Sequence, residues 1–148
     1  MILEDYLKMN AGACPQKVAV ICGGEEVTYS RLYNMVSNKA IELREEGVRE
    51  GTVVTLVSSR SIEYLVRYFA IHMAGGVAVP LEEGIPADLF DEIAARLSAC
   101  TVPAGTADIL FTTGTTGKSK GVMISHQAII ADAENLIEAL QFSPDNVF

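Results

Sequence analysis

Asp108 to His126 reads DILFTTGTTGKSKGVMISH, and this stretch limits the possible folds more than any other. Ile109 to Thr112 is a short, β-favouring apolar run, and Val122 to Ile124 is a second. Between them, Thr113 to Gly121 carries almost no apolar side chain, so it cannot supply a packed helix face. Gly114, Gly117 and Gly121 leave the backbone free to curl, because a residue without Cβ visits positive φ at little cost. A helix forced through them would lose about 1 kcal/mol per glycine relative to alanine. The stretch therefore predicts strand, loop, strand, then a helix entered at Ser125. Four threonine hydroxyls (Thr112, Thr113, Thr115, Thr116), the Ser119 hydroxyl and the Lys118 and Lys120 ammonium groups surround the glycines. Peptide N–H groups, hydroxyls and positive charge gathered around a curl of backbone grip an anion, and phosphate is the candidate.

The commonest phosphate loop is the Walker type, which needs Gly, four spacers, Gly-Lys-Ser/Thr and an immediate helix. Gly117-Lys118-Ser119 supplies the ending, but Thr112 stands where the first glycine belongs. Gly121 then falls in what should be the first helical turn, and Val122-Met123-Ile124 reads as strand. Both features count against a Walker-type NTPase or kinase, which remains the alternative. A non-catalytic interaction domain with an incidental glycine-rich linker is the third reading.

The rest of the chain alternates strands with amphipathic helices. Ile2 to Met9 suits an opening helix with Leu3, Tyr6 and Leu7 inward. Lys17 to Cys22 and Glu25 to Thr28 form a hairpin across Gly23-Gly24. Ser30 is expected to cap a helix running to Glu46, packed through Leu32, Met35, Val36, Ala40 and Leu43. Gly47 ends it. Val53 to Val57 reads as a buried strand, and Ile62 to Ala74 as a helix carrying Ile62, Leu65, Val66, Phe69 and Met73 on one stripe. Val77 to Leu81 is a strand, and Ala87 to Ser98 a helix burying Leu89, Phe90, Ile93 and Leu97. A last helix, His126 to Leu140, should pack through Ile129, Ile130, Ala133, Leu136, Ile137 and Leu140. Such alternation predicts an α/β fold, with a largely parallel, doubly wound sheet covered by helices on both faces. Ligands of such sheets lie beyond the carboxyl ends of the strands, where the loop at 113–121 would emerge.

At 148 residues the chain is one domain-sized unit, 1–148, able to bury about 68–70% of its unfolded surface. A net charge of −8 argues against nucleic-acid or anionic-membrane partners and makes the basic loop stand out. The sequence has no apolar run of membrane-spanning length and no signal peptide, and cytoplasmic location is expected. Cys14, Cys22 and Cys100 lack metal-ligand spacing and read as small buried hydrophobes in a reducing compartment. With only His72 and His126 as histidines, no zinc site is expected. His72 is given no chemistry, and His126 is read as a helix-start residue rather than a general base.

FTTGTTGKSKGVMISH resembles the phosphate-binding loop of the adenylate-forming superfamily, which includes acyl-CoA synthetases, nonribosomal-peptide adenylation domains and luciferases. Their usual form is Ser/Thr-Ser-Gly-Thr-Thr-Gly-x-Pro-Lys-Gly. Here Thr113 replaces Ser and keeps the hydroxyl; Ser119 replaces Pro and loses a φ restraint. The resemblance runs through Pro15 to Val20, Val27 to Leu32, Gly47 to Val54 (with Thr52 for the usual Asp) and Ala74 to Leu81. It points most strongly to the amino-terminal part of an acyl-CoA synthetase, of the long-chain-fatty-acid–CoA ligase kind. The connection from Leu81 to Asp108 is shorter than usual, lacking a strand-helix unit.

The resemblance implies a two-step ligase. A carboxylic acid attacks the α-phosphorus of ATP, giving an acyl-adenylate and pyrophosphate, and a thiol such as coenzyme A then takes the acyl group. Thr112, Thr113, Gly114, Thr115 and Thr116 would hold the β- and γ-phosphates, with Lys120 adding charge. Thr116 would approach Mg²⁺, and Lys118 would face solvent. By the same resemblance, the adenine site, most of the acyl pocket and the catalytic lysine would lie in residues after Phe148. The isolated chain would then be inactive and would self-associate through uncovered apolar surface. The loop should be poorly ordered without ligand.

Overall fold

The computed structural model describes residues 1–112 and 120–144. Its elements are α1 (Leu3–Ala13), β1 (Val18–Cys22), β2 (Glu25–Thr28), α2 (Tyr29–Glu45), β3 (Val53–Val57) and α3 (Ile62–Met73). They continue with β4 (Val77–Leu81), α4 (Ala87–Ser98), β5 (Thr106–Thr112), β6 (Lys120–Ser125) and α5 (His126–Ala139). β1 and β2 form a separate antiparallel hairpin. The main sheet has the order β3-β4-β5-β6; β3, β4 and β5 run parallel, and β6 returns antiparallel to β5. The expected α/β sheet is present.

The sheet separates two apolar clusters because successive strand residues point to opposite faces. On one face Leu56 and Ala78 meet α3 (Val66, Ala70, Ile71), with α2 behind it (Leu32, Val36, Ala40, Leu43) and Leu7 of α1 beside them. On the other, Val77, Val79, Leu81 and Ile109 meet Ile93 and Leu97 of α4. β4 runs between two neighbours and is buried on both faces, which explains its unbroken apolar run.

The turn from α3 into β4 shows why Ala74-Gly75-Gly76 must be small. Gly75 holds φ at +92°, and a Cβ there would lie 3.2 Å from the Glu50 backbone. At Gly76 a Cβ would come within 3.0 Å of Ile71 and Val48 side chains and 3.1 Å of the Ile71 carbonyl. The tight approach seats the end of α3 against the loop before β3.

Several local expectations are corrected. α1 continues to Ala13, because nothing breaks it before Cys14-Pro15. α2 starts two residues earlier than read: Thr28, not Ser30, caps it, its hydroxyl accepting from the Arg31 N–H at 3.3 Å. β3 is an edge strand with only Leu56 buried. The three cysteines are free thiols and half-buried rather than core. α5 departs most. Its cap is Ser125 as expected, yet His126 is its one buried residue, and Leu136, Ile137 and Leu140 are about half exposed. An apolar stripe is only half of a packed helix; the other half is a surface to receive it.

Candidate functional site

β5 and β6 form a hairpin whose tip leaves the carboxyl end of β5. The ladder runs from Thr106↔Ser125 to Thr112↔Lys120, and the Thr112 hydroxyl donates to the Lys120 carbonyl at 3.4 Å. Thr112 and Lys120 are thus brought together, both exposed, as the last described pair before the tip. Thr113, Gly114, Thr115 and Thr116, like Gly117, Lys118 and Ser119, lie outside the described residues. The expectations for their phosphate contacts, for Mg²⁺ at Thr116 and for loop order fall there too. Lys120 to Ser125 is strand and not helix, which removes the Walker reading.

Gly121 has a packing role in this hairpin. It faces Phe111 across the ladder, and a Cβ at Gly121 would meet the Phe111 ring at 3.2 Å and Ile109 at 3.3 Å. The ring lies over the bare backbone, with the Arg96 guanidinium 5.7 Å from its centroid. Ile109 and Phe111 therefore face α4, and the alternation puts Asp108, Leu110 and Thr112 on the α3 side.

The α3 side carries a polar cluster that the sequence reading missed. Tyr68 donates from its hydroxyl to Asp108 Oδ2 at 2.8 Å. His72 Nε2 lies 3.0 Å from Asp108 Oδ1 and 3.2 Å from the Ala107 carbonyl. Both neighbours can only accept when Asp108 is ionised, so Nε2 carries the proton. The His72 ring meets the His126 ring edge-on at 5.2 Å, and His126 Nδ1 accepts from the Leu3 N–H at 3.4 Å. Among the described residues the buried polar or charged side chains are Glu4, His72, Asp108 and His126. Glu4, His72 and His126 border one cavity of about 510 Å³ at the amino-terminal end of β4, away from the loop.

Burial sets the electrostatics here. It pushes the Glu4 carboxyl above its ordinary 4.5, and both Glu4 oxygens are buried without a hydrogen-bond partner. Burial, then the Asp108 charge, pushes the Tyr68 phenol well up. Burial, then His72, holds the His126 imidazole below its ordinary 6.5. Asp108 was legible only as the polar end of an apolar run, and Tyr68 and His72 as an i, i+4 polar pair on an apolar helix. That pair was the available signal.

Asp108 spends both carboxylate oxygens on α3, and among the described residues no group of three or more His, Cys, Asp or Glu could hold a metal. The described residues therefore offer no all-protein metal cage, and a magnesium ion here would take its ligands chiefly from phosphate and water. Among them, too, no helix is long and apolar enough to cross a membrane.

The model of the AMP-binding enzyme family matches residues 7–104 and 99–148. The chain belongs to the AMP-binding enzyme family. Gramicidin S synthase 2 of Brevibacillus brevis is 30% identical over 179 aligned positions, which take in 96% of this chain and 4% of the synthase. Zwittermicin A synthase ZmaJ of Bacillus cereus is 32% identical over 167 positions, 87% of this chain and 32% of its own. The chain thus spans a third or less of each of these two relatives. Aligned positions outnumber the chain's 148 residues, so both relatives hold residues without a counterpart here. The family match breaks at 99–104, within the connection read as shortened. Among solved structures, the nonribosomal peptide synthetase FmoA3 superposes with a TM-score of 0.82 at 20% identity, over 97% of this chain and 19% of that one. MatB of Rhodopseudomonas palustris gives 0.75 at 26% identity, over 89% and 36%.

Proposed function

We propose that the chain supplies the phosphate grip of an enzyme that activates a carboxylic acid with ATP, forming an acyl-adenylate and pyrophosphate. The observation carrying this reading is the Thr112–Lys120 pair, which closes the described β5–β6 ladder at the carboxyl end of a parallel strand. In this reading Thr112, Thr113, Gly114, Thr115 and Thr116 offer hydroxyls and peptide N–H groups to the β- and γ-phosphates. Lys120 faces the charge that builds on the departing pyrophosphate. Donors fixed before the reaction lower such a barrier mainly electrostatically. Magnesium would come with ATP as its counter-ion.

The substrate we favour is an amino acid rather than a fatty acid. FmoA3 has been solved with alpha-methyl-L-serine-AMP and VinN with L-aspartate, and the curated relatives are synthases of gramicidin S and zwittermicin A. These neighbours support moving the acyl-CoA synthetase reading towards amino-acid activation, and they give coenzyme A no support as the acceptor.

The test is calorimetric titration of the chain with ATP and with inorganic pyrophosphate. Both should bind, and Lys120→Ala should weaken both by about tenfold, the worth of one charge-assisted contact. Equal affinity of parent and variant, or no binding by the parent, overturns the reading.

A further inference from the structure

We propose that the Tyr68–Asp108–His72 hydrogen-bond chain is a brace that fixes the register of the loop-bearing hairpin on α3, making Asp108 and His72 positioning residues for nucleotide. The proposal rests on the reading of residues 112–120 as a phosphate grip.

Both roots of the hairpin converge on one side chain. β5 reaches His72 through Asp108, 3.0 Å away. β6 reaches it through His126, the residue directly after that strand, whose ring lies 5.2 Å from the His72 ring. Asp108 is also where β5 pairs with β4, opposite Ala78. Thr112 lies four residues further on the same face, about 13 Å along an extended strand.

Within the sheet β6 is paired with β5 alone. It is an edge strand, and Lys120 to Met123 and Ser125 are exposed. Apolar contacts on such a strand tolerate a shift; directional hydrogen bonds do not. A one-residue slip of β5, which carries β6 with it, would take Asp108 to the α4 side and strand its charge in the apolar cluster there. It would also leave His72 unpaired. Burying a carboxylate without partners is costly, so the register that keeps Tyr68 and His72 on Asp108 is favoured over the slipped one. A buried polar pair adds little to net stability compared with well-packed apolar residues of similar size. What this pair contributes is uniqueness of position, and Thr112 and Lys120 inherit that position.

The experiment compares the parent chain with Tyr68→Phe, His72→Gln and the double variant Asp108→Leu/His72→Leu. The double variant keeps the junction filled and apolar, so it should melt cooperatively. Its affinity for ATP and pyrophosphate should nevertheless fall by about tenfold or more, and amide exchange at Ile109 to Phe111 and Val122 to Ile124 should quicken by a similar factor. His72→Gln, whose side-chain amide can still donate to Asp108, should retain parent affinity within about twofold, and Tyr68→Phe should lose about threefold. A folded double variant with parent affinity and parent exchange overturns the brace, as does a His72→Gln variant as weak as the double one. Should the double variant fail to fold, Tyr68→Phe and His72→Gln decide by the same two readings. If the parent binds neither ATP nor pyrophosphate, the phosphate-grip reading falls, and the exchange rates alone decide whether the hairpin is braced.

Discussion

The Phe111 ring lies 3.2 Å from the place where a Cβ of Gly121 would stand, directly across the β5–β6 ladder. The glycine most exposed to view in the loop sequence is therefore held by an aromatic side chain rather than by a need for unusual backbone. Gly121→Val should push the ring off Ile109 and destabilise the chain by about 1–3 kcal/mol. Thermal unfolding by circular dichroism should show this as a drop of roughly 2–4 °C per kcal/mol.

Gly76 has less room to adjust. Its missing Cβ would sit 3.1 Å from the Ile71 carbonyl, a backbone atom that cannot rotate aside. Gly76→Ala is expected to cost about 1–3 kcal/mol, the usual range for overpacking. A melting temperature equal to the parent's would show that α3 can shift.

Two buried groups make stability depend on pH in opposite directions. Glu4 has a raised folded pKa because burial disfavours its charge; folding favours the protonated acid. Its contribution is intact below the ordinary 4.5 and is lost as pH rises through the folded value. Glu4→Gln should therefore stabilise the chain at pH 7 and do little at pH 4. His126 has a lowered folded pKa, so folding favours the neutral ring. Its contribution is present above the ordinary 6.5 and is lost as pH falls through the folded value. His126→Gln should flatten the loss of stability on acidification below that point. Urea titrations across the pH range measure both.

The uncovered face of α5 should be sticky. Leu136 and Ile137 on α5 and Leu140 just after it are about half exposed, and Val122 and Met123 on β6 are also exposed. Light scattering at high concentration should find association, and Ile137→Glu should reduce it. A monomer at all concentrations would contradict this.

Sequence alone revealed the elements that local chemistry determines. β2, β3, β4 and α4 begin and end where their apolar runs and turn residues say they should. The hairpin was legible because a glycine-threonine run between two apolar runs admits few other folds. The polar brace was not, because it joins Tyr68 and His72 to Asp108 over 40 and 36 residues of chain. No local spacing encodes such a meeting. The exposure of α5 was hidden for the same reason, since periodicity reveals which face is apolar but not what lies against it. Thr28 displaced Ser30 as a cap because both are hydroxyl residues at a helix entrance, and the strand geometry of β2 decides between them.

The two apolar clusters share no buried residue across the sheet, and they are unequal. Three helices back one side, whereas α4 alone shields Val77, Val79, Leu81 and Ile109 on the other. Detaching α4 would bare that lining while leaving the three-helix layer intact, so it is the cheapest large piece to peel away. Transient excursions of the native chain should start there, like a shutter lifting from one side of a wall whose other side stays bricked.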